Sequence, residues 1–126
     1  MTSERIRVLI IDDEALLGLA AQDYLEDEGR FEAFVAEDAE SGLDLLRRQA
    51  IDVCLVDLRL PGSSGIEFML QAQDLYPALR FLVHTGSPEE QFPKAIMQDI
   101  PGFRGVLYKP VADMEVIVRA LDNALR

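Results

Sequence analysis

Residues 8–14 read VLIIDDE, four apolar residues followed at once by three carboxylates. Such a run is suited to a buried strand, yet the charges at its end repel one another. Two carboxylates ~4 Å apart at an effective dielectric of ~20 oppose each other by roughly 4 kcal/mol. Either the strand surfaces at an acidic helix start, or its end is built around a cation. The surrounding chain decides between the two.

Outward from this stretch, short β-like runs alternate with helical patterns. Strands are predicted at RVLII (7–11), EAFVA (32–36), DVCLV (52–56), RFLVH (80–84) and GVLY (105–108). The first, third and fourth are near-continuous apolar runs, as expected of strands covered on both faces. Residues 14–28 predict a helix with Leu17, Ala20, Ala21, Tyr24 and Leu25 on one face, stopping at Gly29. A second helix, 39–49, carries Leu43 and Leu46 after Asp38 as cap. SGIE (64–67) has capping-box spacing and opens a third, which ends before Pro77. Residues 112–125 space Met114, Ile117, Val118, Leu121 and Leu125 on a helical period. Between them, SPEEQFPKAIM (87–97) starts as a helix, with Ser87 as cap and Pro88 in the first turn. Pro93 follows about a turn later, where it costs ~3 kcal/mol in a continuous helix, so this helix is expected to kink or break. The alternation predicts an open parallel α/β sheet with right-handed crossovers. In such sheets ligands sit outside the carboxyl ends of the strands.

The length of 126 residues suits one domain with a proper core, and 49% hydrophobic with 28% charged residues is an ordinary soluble composition. Twenty-three acids against 12 bases leave a net charge of −11, which disfavours unassisted nucleic-acid binding and suits a positive ion or partner. The single Cys54 lies in an apolar run, cannot form an internal disulfide, and reads as core of a reduced, cytoplasmic protein. No apolar stretch approaches membrane-spanning length, and MTSER lacks a signal-peptide pattern.

Just past the strands lies a non-random set. The first delivers Asp12 and Asp13, the third Asp57, the fourth Thr85 and the fifth Lys109. Carboxylates with room for waters suit Mg²⁺, a hard cation that also relieves their repulsion. A lysine adds a compact positive charge for a phosphoryl group, and a hydroxyl can hydrogen-bond one of its oxygens. Phosphoryl transfer needs little beyond alignment and charge stabilisation, and an aspartate can serve as its nucleophile. Taken singly, each residue has a plain structural explanation; Asp12 and Glu14 could merely favour a helix N-terminus. Their joint placement at four strand ends is hard to explain as packing. A haloacid-dehalogenase-type phosphatase would need a second aspartate two residues after the nucleophile, where this chain has Arg59. Nucleotide binding is disfavoured because neither GxGxxG nor a Walker A pattern is present. His84 reads as a strand residue packed away from the site, since a metal site needs several ligands. Met69, Met97 and Met114 read as core, and Glu89 and Glu90 as a favourable helix start.

IIDDE (10–14), LVDLRLPGSSGIEF (55–68), HTG (84–86) and YKP (108–110) together form a highly specific set. On these motifs the chain resembles a response-regulator receiver domain of bacterial two-component signalling, similar to the chemotaxis receiver type, over nearly all its length. The resemblance implies a flavodoxin-like five-stranded sheet of order 2-1-3-4-5. It implies that Asp57 is the phosphoacceptor and that Thr85 and Lys109 bind the phosphoryl oxygens. Mg²⁺ would be held by Asp12, Asp13, Asp57 and the backbone carbonyl of Arg59, with Asp13 a direct ligand. The implied partners are a histidine kinase or histidine phosphotransfer protein, and a downstream protein target or an output domain. Residues 1–126 would be a single receiver domain, either stand-alone or one piece of a larger regulator, with no output domain visible. The Lys109–Pro110 bond is expected to be cis. The chain would catalyse its own phosphorylation and acyl-phosphate hydrolysis. The alternative is a phosphorylation-independent interaction module, which has no need of the intact set Asp12, Asp13, Asp57, Thr85 and Lys109.

Three departures from the pattern stand out. Val106 stands where the family often has an aromatic switch residue, and Tyr108 is expected on the opposite face. Pro93 interrupts the fourth helix, so residues 86–102 are the expected moving part on phosphorylation. Arg59 and Ser87 occupy flanking positions that vary in the family and influence acyl-phosphate lifetime.

Overall fold

The computed structural model describes residues 4–62, 64–86 and 98–126. The helix expected across 87–97, with Ser87, Glu89, Glu90, Pro93 and Met97, lies outside the described residues.

Among the described residues nine elements follow in order: β1 (Ile6–Ile11), α1 (Ala15–Glu28), β2 (Phe31–Ala36), α2 (Ala39–Arg48), β3 (Val53–Val56), α3 (Gly65–Leu75), β4 (Arg80–Thr85), β5 (Phe103–Tyr108) and α4 (Glu115–Ala124). The strands form one sheet, all parallel, in the order β2-β1-β3-β4-β5. This is the flavodoxin-like order that the resemblance implied.

The unbroken apolar run of β1 follows from the two covered faces. Leu9 and Ile11 join Cys54, Val56, Phe81 and Val83 in a core under Leu46 of α2 and Phe68, Met69 and Ala72 of α3. Val8 and Ile10 point the other way, joining Val53, Leu55 and Leu82 under Ala21 and Leu25 of α1 and Ile117, Val118 and Leu121 of α4. Cys54 is fully buried, and burial pushes its thiol pKa far above the usual value, so it is inert core as expected.

The helix ends follow their local chemistry. Gly29 ends α1 with φ 99°, a left-handed conformation that a residue with a Cβ rarely adopts. Asp38 caps α2 by accepting from the Ser41 N–H, and Ser64 and Glu67 form the expected capping box on α3. Two details depart from expectation. α4 starts at Glu115, three residues later than the pattern suggested. On α1 the buried stripe is Gly18, Ala21 and Leu25, with Leu17 half-buried, whereas Ala20 and Tyr24 are exposed. Ala21 and Leu25 are buried as expected, Gly18 completes the stripe in place of Ala20 and Tyr24, and the Tyr24 hydroxyl donates to Glu115 at 3.2 Å.

On β5 the register against β4 shifts between Phe81 and Val83, beside Gly105 at φ 142°. Phe103 and Val106 therefore both pack on the α2/α3 core although three residues apart. Tyr108 is two positions past Val106, shares its side by strand alternation, and is 40% exposed. It does not stand on the face opposite Val106. The Lys109–Pro110 bond is cis.

Candidate functional site

The site residues are placed by the last rungs of the parallel ladder. The Asp12 N–H donates to the Ala36 carbonyl at 3.0 Å, tying the end of β1 to β2. Asp57 N–H donates to the Ile11 carbonyl at 2.9 Å, and Lys109 N–H to the Thr85 carbonyl at 2.8 Å. Each functional side chain thus leaves the sheet from a hydrogen-bonded backbone. Gly65 fixes the floor: a Cβ there would stand 2.3 Å from the Asp57 carbonyl oxygen, so only glycine lets the start of α3 approach this closely.

Around this frame the charges converge. Lys109 Nζ donates to Asp57 Oδ2 at 2.9 Å and pairs with Asp12 Oδ2 at 2.8 Å. Its third partner is Glu14, 95 residues away in the chain. Asp57 Oδ1 accepts from the Thr85 hydroxyl at 3.2 Å and from the Arg59 N–H at 3.1 Å. Asp12 Oδ1 accepts from the Glu14 N–H at 2.9 Å. Asp12, Asp57 and Thr85 are buried, while Asp13 is exposed at the mouth. Among the described residues, Asp12, Asp13 and Asp57 each offer a ligand oxygen within 4.8 Å of the others. Three carboxylates share one ammonium and Asp13 adds a fourth beside Asp12 and Asp57, an excess of hard oxygen donors that fits a divalent cation such as Mg²⁺.

Burial raises the Asp12 pKa, a rise opposed mainly by its hydrogen bond from Lys109. Burial alone would lower that of Lys109, but its bonds to Asp12, Glu14 and Asp57 outweigh this and hold the ammonium charged well beyond the ordinary lysine range.

Every predicted strand-end residue is therefore in one place. His84 corrects the sequence expectation: it is buried, but it lines the same groove as Asp57 and Lys109 instead of packing away from it. Its Nε2 has no partner among the described residues, and burial, helped by nearby Lys109, pushes its pKa down to about 4. Sequence reasoning also missed Gln73, whose Nε2 donates to the carbonyls of Tyr76, Pro77 and Leu79 and whose Oε1 accepts the Gly102 N–H at 2.5 Å. Its spacing after Met69 on α3 was the available signal.

With this geometry in place, comparison with known proteins is decisive. A family model described as the response regulator receiver domain matches residues 8–122. The chain belongs to this receiver-domain family. It is 29% identical over 129 residues to the transcriptional regulatory protein GlrR of Escherichia coli K12, covering 99% of this chain and 27% of that protein. It is 33% identical to the sensor histidine kinase AruS of Pseudomonas aeruginosa, covering 94% of this chain and 12% of the kinase, and 32% identical to the response regulator GacA of the same species, covering 92% and 53%. The chain thus spans about a quarter of the length of GlrR. Among solved structures, a CheY-like receiver domain protein from Methanospirillum hungatei JF-1 superposes with a TM-score of 0.86 at 25% identity, covering 97% of this chain and 94% of that one. No described helix of this receiver domain is long and apolar enough to cross a membrane.

Proposed function

We propose that this receiver domain accepts a phosphoryl group on Asp57 from a histidine kinase or histidine phosphotransfer protein, and later loses it by hydrolysis. The observation that carries the reading is the Asp57 carboxylate, bonded to Lys109 and Thr85 and beside Asp12 and Asp13. An Asp57 oxygen attacks phosphorus, the donor's P–N bond breaks, and an aspartyl phosphate forms. Lys109 and Thr85 stabilise the phosphoryl oxygens through charge and a hydrogen bond. Asp12, Asp13, Asp57 and the backbone carbonyl of Arg59 would hold Mg²⁺. When bound, that ion supplies charge neutralisation during transfer.

The kinase as donor is supported by the company the family keeps, since AruS is a sensor histidine kinase and GlrR and GacA are regulators. Residues 1–126 form a single receiver domain in this reading, acting in the cytoplasm on a downstream protein or on an output domain. With a net charge of −11, direct nucleic-acid contact is not part of the reading. A phosphorylation-independent module would not need five converging polar side chains. The test is incubation with acetyl phosphate with and without Mg²⁺, read by intact mass. One labile phosphate that depends on Mg²⁺ is expected, and no uptake under either condition would overturn the reading.

A further inference from the structure

Glu14 occupies the N-cap of α1 yet makes no side-chain cap bond, unlike Asp38 and Ser64 on the next two helices. Its carboxylate reaches instead across the site to Lys109. An ammonium has three N–H donors, and Lys109 spends all three on Asp12, Glu14 and Asp57. Any phosphoryl oxygen that comes to Lys109 must displace one of these.

The three partners are not equally held. The side chains of Asp12 and Asp57 are 4% and 7% exposed, and each accepts a further backbone N–H on its other oxygen. The Glu14 side chain is 60% exposed. Releasing it returns a carboxylate to water at little desolvation cost, whereas releasing Asp12 would strand a buried charge, and Asp57 is itself the group that receives the phosphoryl.

We infer that Glu14 is a positioning residue that occupies, in the resting protein, the Lys109 donor later taken by the phosphoryl group. It acts as a built-in competitor: it keeps the ammonium aimed at the site and must swing out for the group to be held. The inference rests on the Asp57 reading above, and deepens it by naming a control on the same site.

The test compares wild type with Glu14→Gln and Glu14→Asp. Glutamine removes the charge. Aspartate keeps the charge, shortens the reach by one methylene and is itself a good N-cap. Both variants are expected to take phosphate from acetyl phosphate about two- to fivefold faster, the size of effect an exposed ion pair supports. A second readout is the NMR coupling across the hydrogen bond from Lys109 Nζ to the Glu14 carboxylate carbon. It is expected in the resting protein and lost on loading with beryllium trifluoride, a phosphoryl mimic. Unchanged rates in both variants, an aspartate variant as slow as wild type beside a faster glutamine variant, or a coupling that persists on loading would each overturn the inference. Wild type that takes no phosphate at all would instead overturn the Asp57 reading, and the inference with it.

Discussion

Lys109 Nζ stands 2.9 Å from Asp57 Oδ2, joining the ends of β5 and β3 across 52 residues of chain. The same ammonium balances Asp12, so three side chains that would repel or be stranded alone form one cluster. Removing the cation leaves two buried carboxylates facing each other. Lys109→Ala is expected to cost about 3 kcal/mol in metal-free buffer, the scale for breaking one side of a buried pair. Urea denaturation with EDTA checks this, and a loss below about 1 kcal/mol would mean that water already screens the pair.

If Asp12, Asp13 and Asp57 hold Mg²⁺ as proposed, the ion should stabilise the fold by linkage, because these carboxylates are assembled only in the folded chain. At about ten times its dissociation constant the gain is about 1.4 kcal/mol. The melting temperature then rises on the order of 5 °C. In Asp13→Ala the rise should be much smaller, and in Lys109→Ala larger, since the metal there replaces a missing cation. Equal rises in all three proteins would move the metal elsewhere.

His84 sets a pH dependence of known sign. Its folded pKa is about 4 against an ordinary 6.5, so between these values the unfolded chain binds the proton and the folded one does not. Stability is fully present above pH 6.5 and is lost as pH falls toward 4, by about 3 kcal/mol in all. Asp12, whose pKa burial raises, acts in the opposite sense, but it is common to wild type and variant. His84→Leu should therefore flatten the difference in stability between pH 7 and pH 4. Parallel pH profiles for the two proteins would show that His84 does not titrate in this window.

Gly65 should tolerate no side chain. A Cβ would lie 2.3 Å from the Asp57 carbonyl oxygen and 2.9 Å from Leu58 Cα, both backbone atoms that cannot turn aside. Gly65→Ala is expected to cost about 1–3 kcal/mol, the usual range for forced overpacking. It should also slow phosphate uptake by shifting Asp57. A variant with wild-type stability and uptake would mean that α3 can retreat freely.

Much of this was legible in the sequence because the signals were redundant. β1 announced burial on both faces through its unbroken apolar run, and Asp38 and the Ser64–Glu67 pair marked two helix starts. Asp12, Asp57, Thr85 and Lys109 could be gathered from sequence because parallel strands share one direction, so the residue after each strand lands on one edge. What could not be read were relationships set by side-chain reach and not by period. Glu14 looked like helix-start chemistry, and nothing in DDE says that its third carboxylate crosses to Lys109. His84 and Gln73 look like misplaced polar residues until the groove and the turn they meet exist in three dimensions. Tyr24 shows the same limit: Ala21 and Leu25 of the expected face are buried, but nothing in the sequence says that Gly18, and not Ala20 and Tyr24, completes the stripe.

The most direct measurement is the location of the phosphate itself. After treatment with acetyl phosphate and Mg²⁺, borohydride reduction converts an aspartyl phosphate to homoserine, which peptide mass spectrometry can place. Homoserine is expected at position 57 and nowhere else, with none formed in Asp57→Asn. Homoserine at Asp12 or Asp13, or undiminished labelling of Asp57→Asn, would contradict the Asp57 reading.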